Sequence, residues 1–408
     1  MNRKVLDMLA DDENEGVRIA LARNDNTPPE ILEKLSDDEE SLVREFVALN
    51  TNTSSNTLEK LSDDEDANVR ADVASNLNTP SNVLRKLSKD KDEWVVLDVA
   101  YNPNLPSNNL LEELSKSRNE WIRTEIAKSK KTPLNILKEL SNDDSSYVRE
   151  RVAENPNTPP KILEKLSQDK EEYVRIAIAK NPNTSENILK KFSQDKEWVV
   201  RWCVAENPNT SIKVIEKLSK DKFLHVREGV AKNPNTLPNI LEKLSNDKER
   251  GVIIVVAENK NTHFDTLEKL SKKEDWQVRA GVAINPSTPA NLLEKLSNDK
   301  DDEVRLAVAS NPLTHPEILE KLSDDEDEGV RAEVARNKNT PSYILTNLAK
   351  DKYDDVRAGV AKNPNTPIAV LKQLANEENI EIKYGIAKNP NIAKVNTPQQ
   401  KKSISPSM

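Results

Sequence analysis

Val148-Arg149-Glu150-Arg151-Val152-Ala153-Glu154-Asn155-Pro156-Asn157-Thr158-Pro159-Pro160-Lys161-Ile162-Leu163-Glu164-Lys165-Leu166-Ser167 is the stretch that decides the fold. Ile162, Leu163 and Leu166 share one face of a short helix, here helix A, with Thr158 as its N-cap and Pro159 suited to its first position. After an acidic loop, Val174 and Ile178 lie four apart and mark a second helix, helix B, over 173–180. Asn181-Pro182 stops it, because the residue before a proline disfavours the α region. Neither helix is long enough to persist alone in water, where about 12 to 15 residues are needed.

Outward from this stretch, the first Leu of Leu-Glu-Lys-Leu-Ser returns every 26 residues. Repeats start near Leu6, Leu32, Leu58, Leu84, Leu111, Leu137, Leu163, Leu189, Ile215, Leu241, Leu267, Leu293, Leu319, Leu345 and Leu371, with one extra residue in the loop before Leu110. Counting that residue as offset zero, offset three is Leu except at Phe192, offset eleven is Val or Ile, and offset sixteen is always Ala. Stability must then come from stacking repeat on repeat, and the Ala marks where a neighbouring helix leaves space for little more than a methyl. The expectation is an all-α solenoid superhelix of fifteen two-helix repeats, a single repeat array over 1–394 with a disordered tail over 395–408.

Composition sets the outer bounds. The 408 residues carry 61 Lys+Arg against 70 Asp+Glu, a net charge of −9, which argues against a protein whose main task is neutralising phosphates. There is no run of about 18 apolar residues, so no membrane partner is expected. The start, MNRKVLDMLADDENEG, has no apolar core of a secretory signal, and Cys203 alone makes no internal disulfide. Both suit a reducing, cytoplasmic setting.

Two polar rows run through the repeats. Offset six is Asp in twelve repeats and offset twelve is Arg in twelve, as in Asp143, Arg149, Asp169 and Arg175. Where Arg gives way to Val96 and Ile253, the Asp of the next repeat gives way to Ser117 and Lys273. Matched loss is what contact produces, since stripping one partner strands a buried charge. Arg of one repeat is therefore expected to bond Asp of the following one. Offset eighteen is Asn in fourteen repeats, among them Asn155 and Asn181, and is expected to satisfy loop backbone groups from repeat to repeat.

Val-Arg-x-x-Val-Ala-x-Asn-Pro-Asn-Thr-Pro-x-x-Ile-Leu-x-x-Leu-Ser, as over 148–167, resembles the leucine-rich repeat variant family, and the resemblance covers 5 to about 392. It implies alternating α- and 3₁₀-helices in a superhelix, so that helix A is partly 3₁₀. One type within that family carries a Cys-rich iron–sulfur segment; with no Cys before 203 that cofactor is not carried over, and no cofactor is expected. A looser similarity is to HEAT repeats, and neither resemblance implies an enzymatic activity.

Little chemistry stands apart from the period. His263 and His315 replace the proline at the start of helix A two repeats apart, too far to share a metal, and His225 is the remaining histidine. The stretches 11–16 and 324–329 imitate a calcium loop, but Ala22 and Ala335 stand where its bidentate Glu belongs. Cys203 occupies a small-residue packing offset. Offset seventeen alternates Lys128, Glu154, Lys180, Glu206, Lys232 and Glu258, read as a surface ladder between neighbours. The aperiodic feature is aromatic: Trp94, Trp121, Tyr147 and Tyr173 fill offset ten in four consecutive repeats, with Trp198 and Trp202 in the next. They either staple helix B to its own loop or form a partner surface of anchor residues.

The sequence is read as a non-catalytic scaffold that binds a protein partner through an extended repeat surface, best placed over 84–225. Two other classes stay open. A nucleic-acid-binding HEAT-like protein needs the offset-twelve arginines exposed and unpaired. A HEAT-like enzyme of glycosylase or lyase type needs acidic and aromatic residues converging in one concavity.

Overall fold

The structure, a computed structural model, describes residues 3–105 and 108–391; the tail expected over 395–408 lies outside them. Among the described residues thirty α-helices follow one another as fifteen A–B pairs, with no strand. The chain divides into two compact halves, Met1–Val200 and Arg201–Met408.

In the first half, helix A of the quoted stretch is Pro160–Leu166, seven residues, and the flanking B helices Ser146–Glu154 and Glu172–Lys180 have nine each. Leu163, Val174 and Ile178 are fully buried, each contributing about 1.5 to 3 kcal/mol of apolar burial to helices that could not stand alone. Successive B helices pack directly on one another, Ala67–Ser75 on Glu93–Tyr101 and Glu120–Lys128 on Ser146–Glu154. At their seam Ala74, Ala127 and Ala153 have no exposed surface.

The second half repeats this plan, with Glu328–Arg336 packed on Asp354–Lys362. There Gly359 sits inside a helix, where glycine costs about 1 kcal/mol relative to alanine. The close approach explains it: a Cβ at 359 would lie 3.0 Å from Ala335 Cβ and 3.1 Å from the Ala332 carbonyl oxygen.

Two local expectations are corrected. Helix A is α-helical, and 3₁₀-type bonds occur only at its ends, as where the Ile162 amide reaches the Pro159 carbonyl at 2.9 Å while that of Leu163 reaches the same oxygen at 3.2 Å. The N-cap is Pro159, not Thr158, and makes no side-chain cap bond. Thr158 is buried, and its Oγ1 donates to the Val152 carbonyl at 2.5 Å, closing the end of the preceding helix B. A free carbonyl at a helix C-terminus inside the stack needs that donor more than the exposed start of helix A needs a cap.

Candidate interaction surface

The Arg–Asp row is a chain of clamps between repeats. Arg149 Nε donates to Asp169 Oδ2 at 2.6 Å and Nη2 to Oδ1 at 3.1 Å. Its Nη1 holds the backbone carbonyls of Asp143 and Asp144, at 2.7 and 3.0 Å, so the guanidinium spans its own loop and the next repeat's carboxylate. Asp169 in turn accepts the Glu171 amide at 3.0 Å, and Arg175 bonds Asp195 at 2.7 Å. Burial pushes the Asp169 carboxyl up, but the Arg149 hydrogen bond and the Glu171 amide outweigh it and hold the group below its ordinary range. At the gap after Val96, Ser117 keeps the turn bond by accepting the Asn119 amide, and Arg123 keeps its hold on the Ser117 carbonyl. Arginines of this row such as Arg70, Arg175 and Arg227 are buried against their aspartates, so the exposed, unpaired basic face a nucleic-acid reader would need is not made by them.

The asparagines stitch the loops. Asn155 Nδ2 donates to the carbonyls of Ala127 and Ser129, and Asn181 Nδ2 to those of Ala153 and Asn155, at 2.6 to 3.1 Å. Sequence reasoning missed a third row, although the Leu-Glu-Lys-Leu-Ser phrase contains it. Lys165 Nζ reaches Ser141 Oγ at 3.1 Å, one repeat back, and Lys60 and Lys86 reach Ser36 and Ser62 in the same way. The fixed Lys-x-Ser spacing is the signal that could have found it.

The four aromatic residues of offset ten stand out from the helix B surface. Trp94 is 72% exposed, Trp121 53%, Tyr147 54% and Tyr173 62%. Rings stapled to their own loop would be largely covered. Trp121 and Tyr147 stack, centroids 6.1 Å apart at 27°. Trp198 is half-buried, and so is Trp202, whose ring leaves no space for a side chain at Gly229, where a Cβ would lie 2.9 Å from Trp202 Cδ1.

On the helix of Trp94 and on the two B helices before it lies a set of carboxylates that the period does not flag. Glu45, Asp72 and Asp98 lie half-buried on three successive B helices, Ser41–Leu49, Ala67–Ser75 and Glu93–Tyr101. Burial, then the neighbouring charges of Glu45, Asp98 and Asp66, pushes the Asp72 carboxyl up to about 7. Burial raises Asp98 as well.

The remaining singled-out residues fall to local contacts. His263 and His315 are N-cap residues, 3.4 and 3.9 Å from Asp265 and Glu317 of their own helices, and His225 lies 2.9 Å from Glu228. Cys203 is buried, as are Ala22 and Ala335 of the calcium-like stretches. Among the described residues the offset-seventeen ladder is reduced to Glu206 with Lys232 at 3.0 Å. Lys128 and Glu154 turn instead to Glu125 and Arg151, one turn back on their own helices, where the partner is nearer.

Comparison with known proteins bears on the repeat type. No curated protein matches this chain. A solved structure described as a leucine-rich repeat variant with a novel repetitive motif is 23% identical over 54% of this chain and 87% of its own, with a TM-score of 0.38. A structure of a Kap121p mutant matches at 11% identity over 96% of this chain and 55% of its own, TM-score 0.39, and one of Kap121p bound to Ste12p at 14%, over 97% and 51%, TM-score 0.32. This chain thus spans about half the length of the Kap121p chains. The leucine rich repeat variant family pattern matches residues 15–40 and 302–327. Those two segments are similar to leucine rich repeat variant units, and the same 26-residue pattern runs through the repeats between and around them.

Proposed function

We propose that this chain is a non-catalytic scaffold, its repeats over 1–394 serving to hold a protein partner on the exposed face of helix B between Trp94 and Tyr173. One observation carries the reading: four large aromatic side chains, each more than half exposed, stand on four consecutive B helices. Isolated exposed aromatics are ordinary, but rings in adjacent rows of a stacked array form one continuous patch. Trp and Tyr are the side chains that most often anchor interfaces, because they bury large area at little cost in rotamer entropy. The helices beneath are held by the Arg–Asp and Asn rows, so the surface is ordered before a partner arrives, which lowers the cost of binding.

The test is affinity capture from native lysate with mass spectrometry, comparing the wild type with a Trp94, Trp121, Tyr147, Tyr173→Ala variant whose fold is verified by circular dichroism. Loss of a defined protein from the variant's catch is the expected result. Identical catches from the two folded proteins would refute the reading.

A further inference from the structure

We propose, resting on the scaffold reading above, that the helix B face carrying Glu45, Asp72 and Asp98, the last flanked by Trp94 and Tyr101, takes an extended partner segment with Lys or Arg at every third residue.

The carboxylates are the first ground. Among the described residues Glu45, Asp72 and Asp98 have no ion pair and no side-chain hydrogen bond, whereas Asp64 and Asp90 on the loops of the same repeats are clamped by Arg44 and Arg70. Burial, and after it the charges of Glu45, Asp98 and Asp66, disfavour the charged form of Asp72. Among the described residues no ion pair offsets this cost, so the arrangement suits a cation supplied from outside.

The rings are the second. Asp98 lies one turn after Trp94 and just under one turn before Tyr101, which is 51% exposed, so the acid sits between two exposed rings on one helix face. A Lys or Arg placed there gains both a carboxylate and an aromatic face for its head group and stem. A neighbouring repeat already uses the aromatic half of this chemistry, for the Arg23 guanidinium lies 4.9 Å from the Phe46 ring centroid.

Spacing then selects the partner. Packed helices lie about 8 to 10 Å apart, and an extended chain advances roughly 3.3 Å per residue, so one residue in three meets successive helices. Nucleic acid is excluded by charge, since the row would face phosphates with carboxylates. Among the described residues no group of three or more His, Cys, Asp or Glu side chains is placed to hold a metal ion.

The probe is a fluorescein-labelled twelve-residue peptide, Lys-Gly-Ser repeated four times, titrated with the full chain at low salt and read by anisotropy, beside its Glu-Gly-Ser counterpart. Asp72→Asn with Asp98→Asn is expected to weaken the Lys peptide at least tenfold while circular dichroism melting reports an intact fold. A charge-matched control, Asp37→Asn with Asp63→Asn on exposed loops, is expected to bind as the wild type does. Affinity is also expected to fall between pH 8 and 5.5 as Asp72, faced by Glu45, Asp98 and Asp66, takes up a proton. Absence of wild-type binding, equal binding by the Asp72/Asp98 variant, or an equal loss in the control would each overturn the proposal. The lysate capture separates the two readings. A partner lost with the aromatic residues but retained by Asp72→Asn/Asp98→Asn removes the basic-segment inference alone, and catches indifferent to both sets remove the scaffold reading with it.

Discussion

Replacing Arg149 by Val and Asp169 by Ser, singly and together, recreates in the middle of the first half the gap that Val96 and Ser117 make naturally. The pair is almost closed to solvent, with side-chain exposures of 13% and 7%. Removing Arg149 alone leaves a buried carboxylate with only the Glu171 amide, and removing Asp169 alone leaves a guanidinium with only two loop carbonyls. Either single change is expected to cost about 3 kcal/mol, the lower end of the range for stripping one partner from a buried pair. The double change strands no charge, and a serine hydroxyl in place of the Asp169 carboxylate can accept the Glu171 amide as Ser117 accepts that of Asn119. It is expected to cost no more than the worse single, a coupling of at least about 3 kcal/mol. A repeat array need not unfold in one step, so the quantity to measure is local. Native-state hydrogen exchange of amides in Ser146–Glu154 and Glu172–Lys180 gives it directly, from all four members of the cycle. Additivity within about 0.5 kcal/mol would refute the reasoning, for it would mean that the two side chains do not feel each other.

Four further outcomes follow from the same geometry. Asp38, Asp64, Asp90 and Asp169 are held below the ordinary carboxylate range, so the stability they add is present above about pH 4 and is lost as pH falls through their folded values, which acid titration of the melting midpoint checks. Asp72 has the opposite sign: its folded value of about 7 exceeds the unfolded one, so stability declines as pH rises through that window, and Asp72→Asn raises the midpoint at pH 8 but not at pH 4. Ala205→Leu, at a position with no exposed surface, overpacks the seam between B helices and costs about 1 to 3 kcal/mol in urea denaturation. Thr158→Val keeps the shape and deletes the buried bond to the Val152 carbonyl, costing about 1 to 2 kcal/mol in the same assay, whereas Thr158→Ser keeps the donor and loses less.

The architecture was legible because it is local. Ala at offset sixteen, Asn-Pro after it and paired apolar residues four apart state where each short helix lies and which face it hides, and the period of 26 states that the next repeat covers that face. Even the direction of the Arg–Asp clamp can be read, since Val96 and Ser117 vary together while Asp90 and Arg123 do not. What the chain alone could not convey depends on distance between repeats. Thr158 reads as a cap for the helix after it, and only the packed stack makes the Val152 carbonyl before it the stronger claimant. Trp94 and Tyr173 read either as loop staples or as surface, and their exposure is a property of the stack. Asp72 and Asp98 look like unremarkable polar substitutions at an offset that elsewhere holds Ala177 or Gly229. Stacking brings them near Glu45 with no ion pair for them among the described residues, because periodic sequence specifies which helices become neighbours, whereas burial and charge balance arise only from the side chains all neighbours present at once.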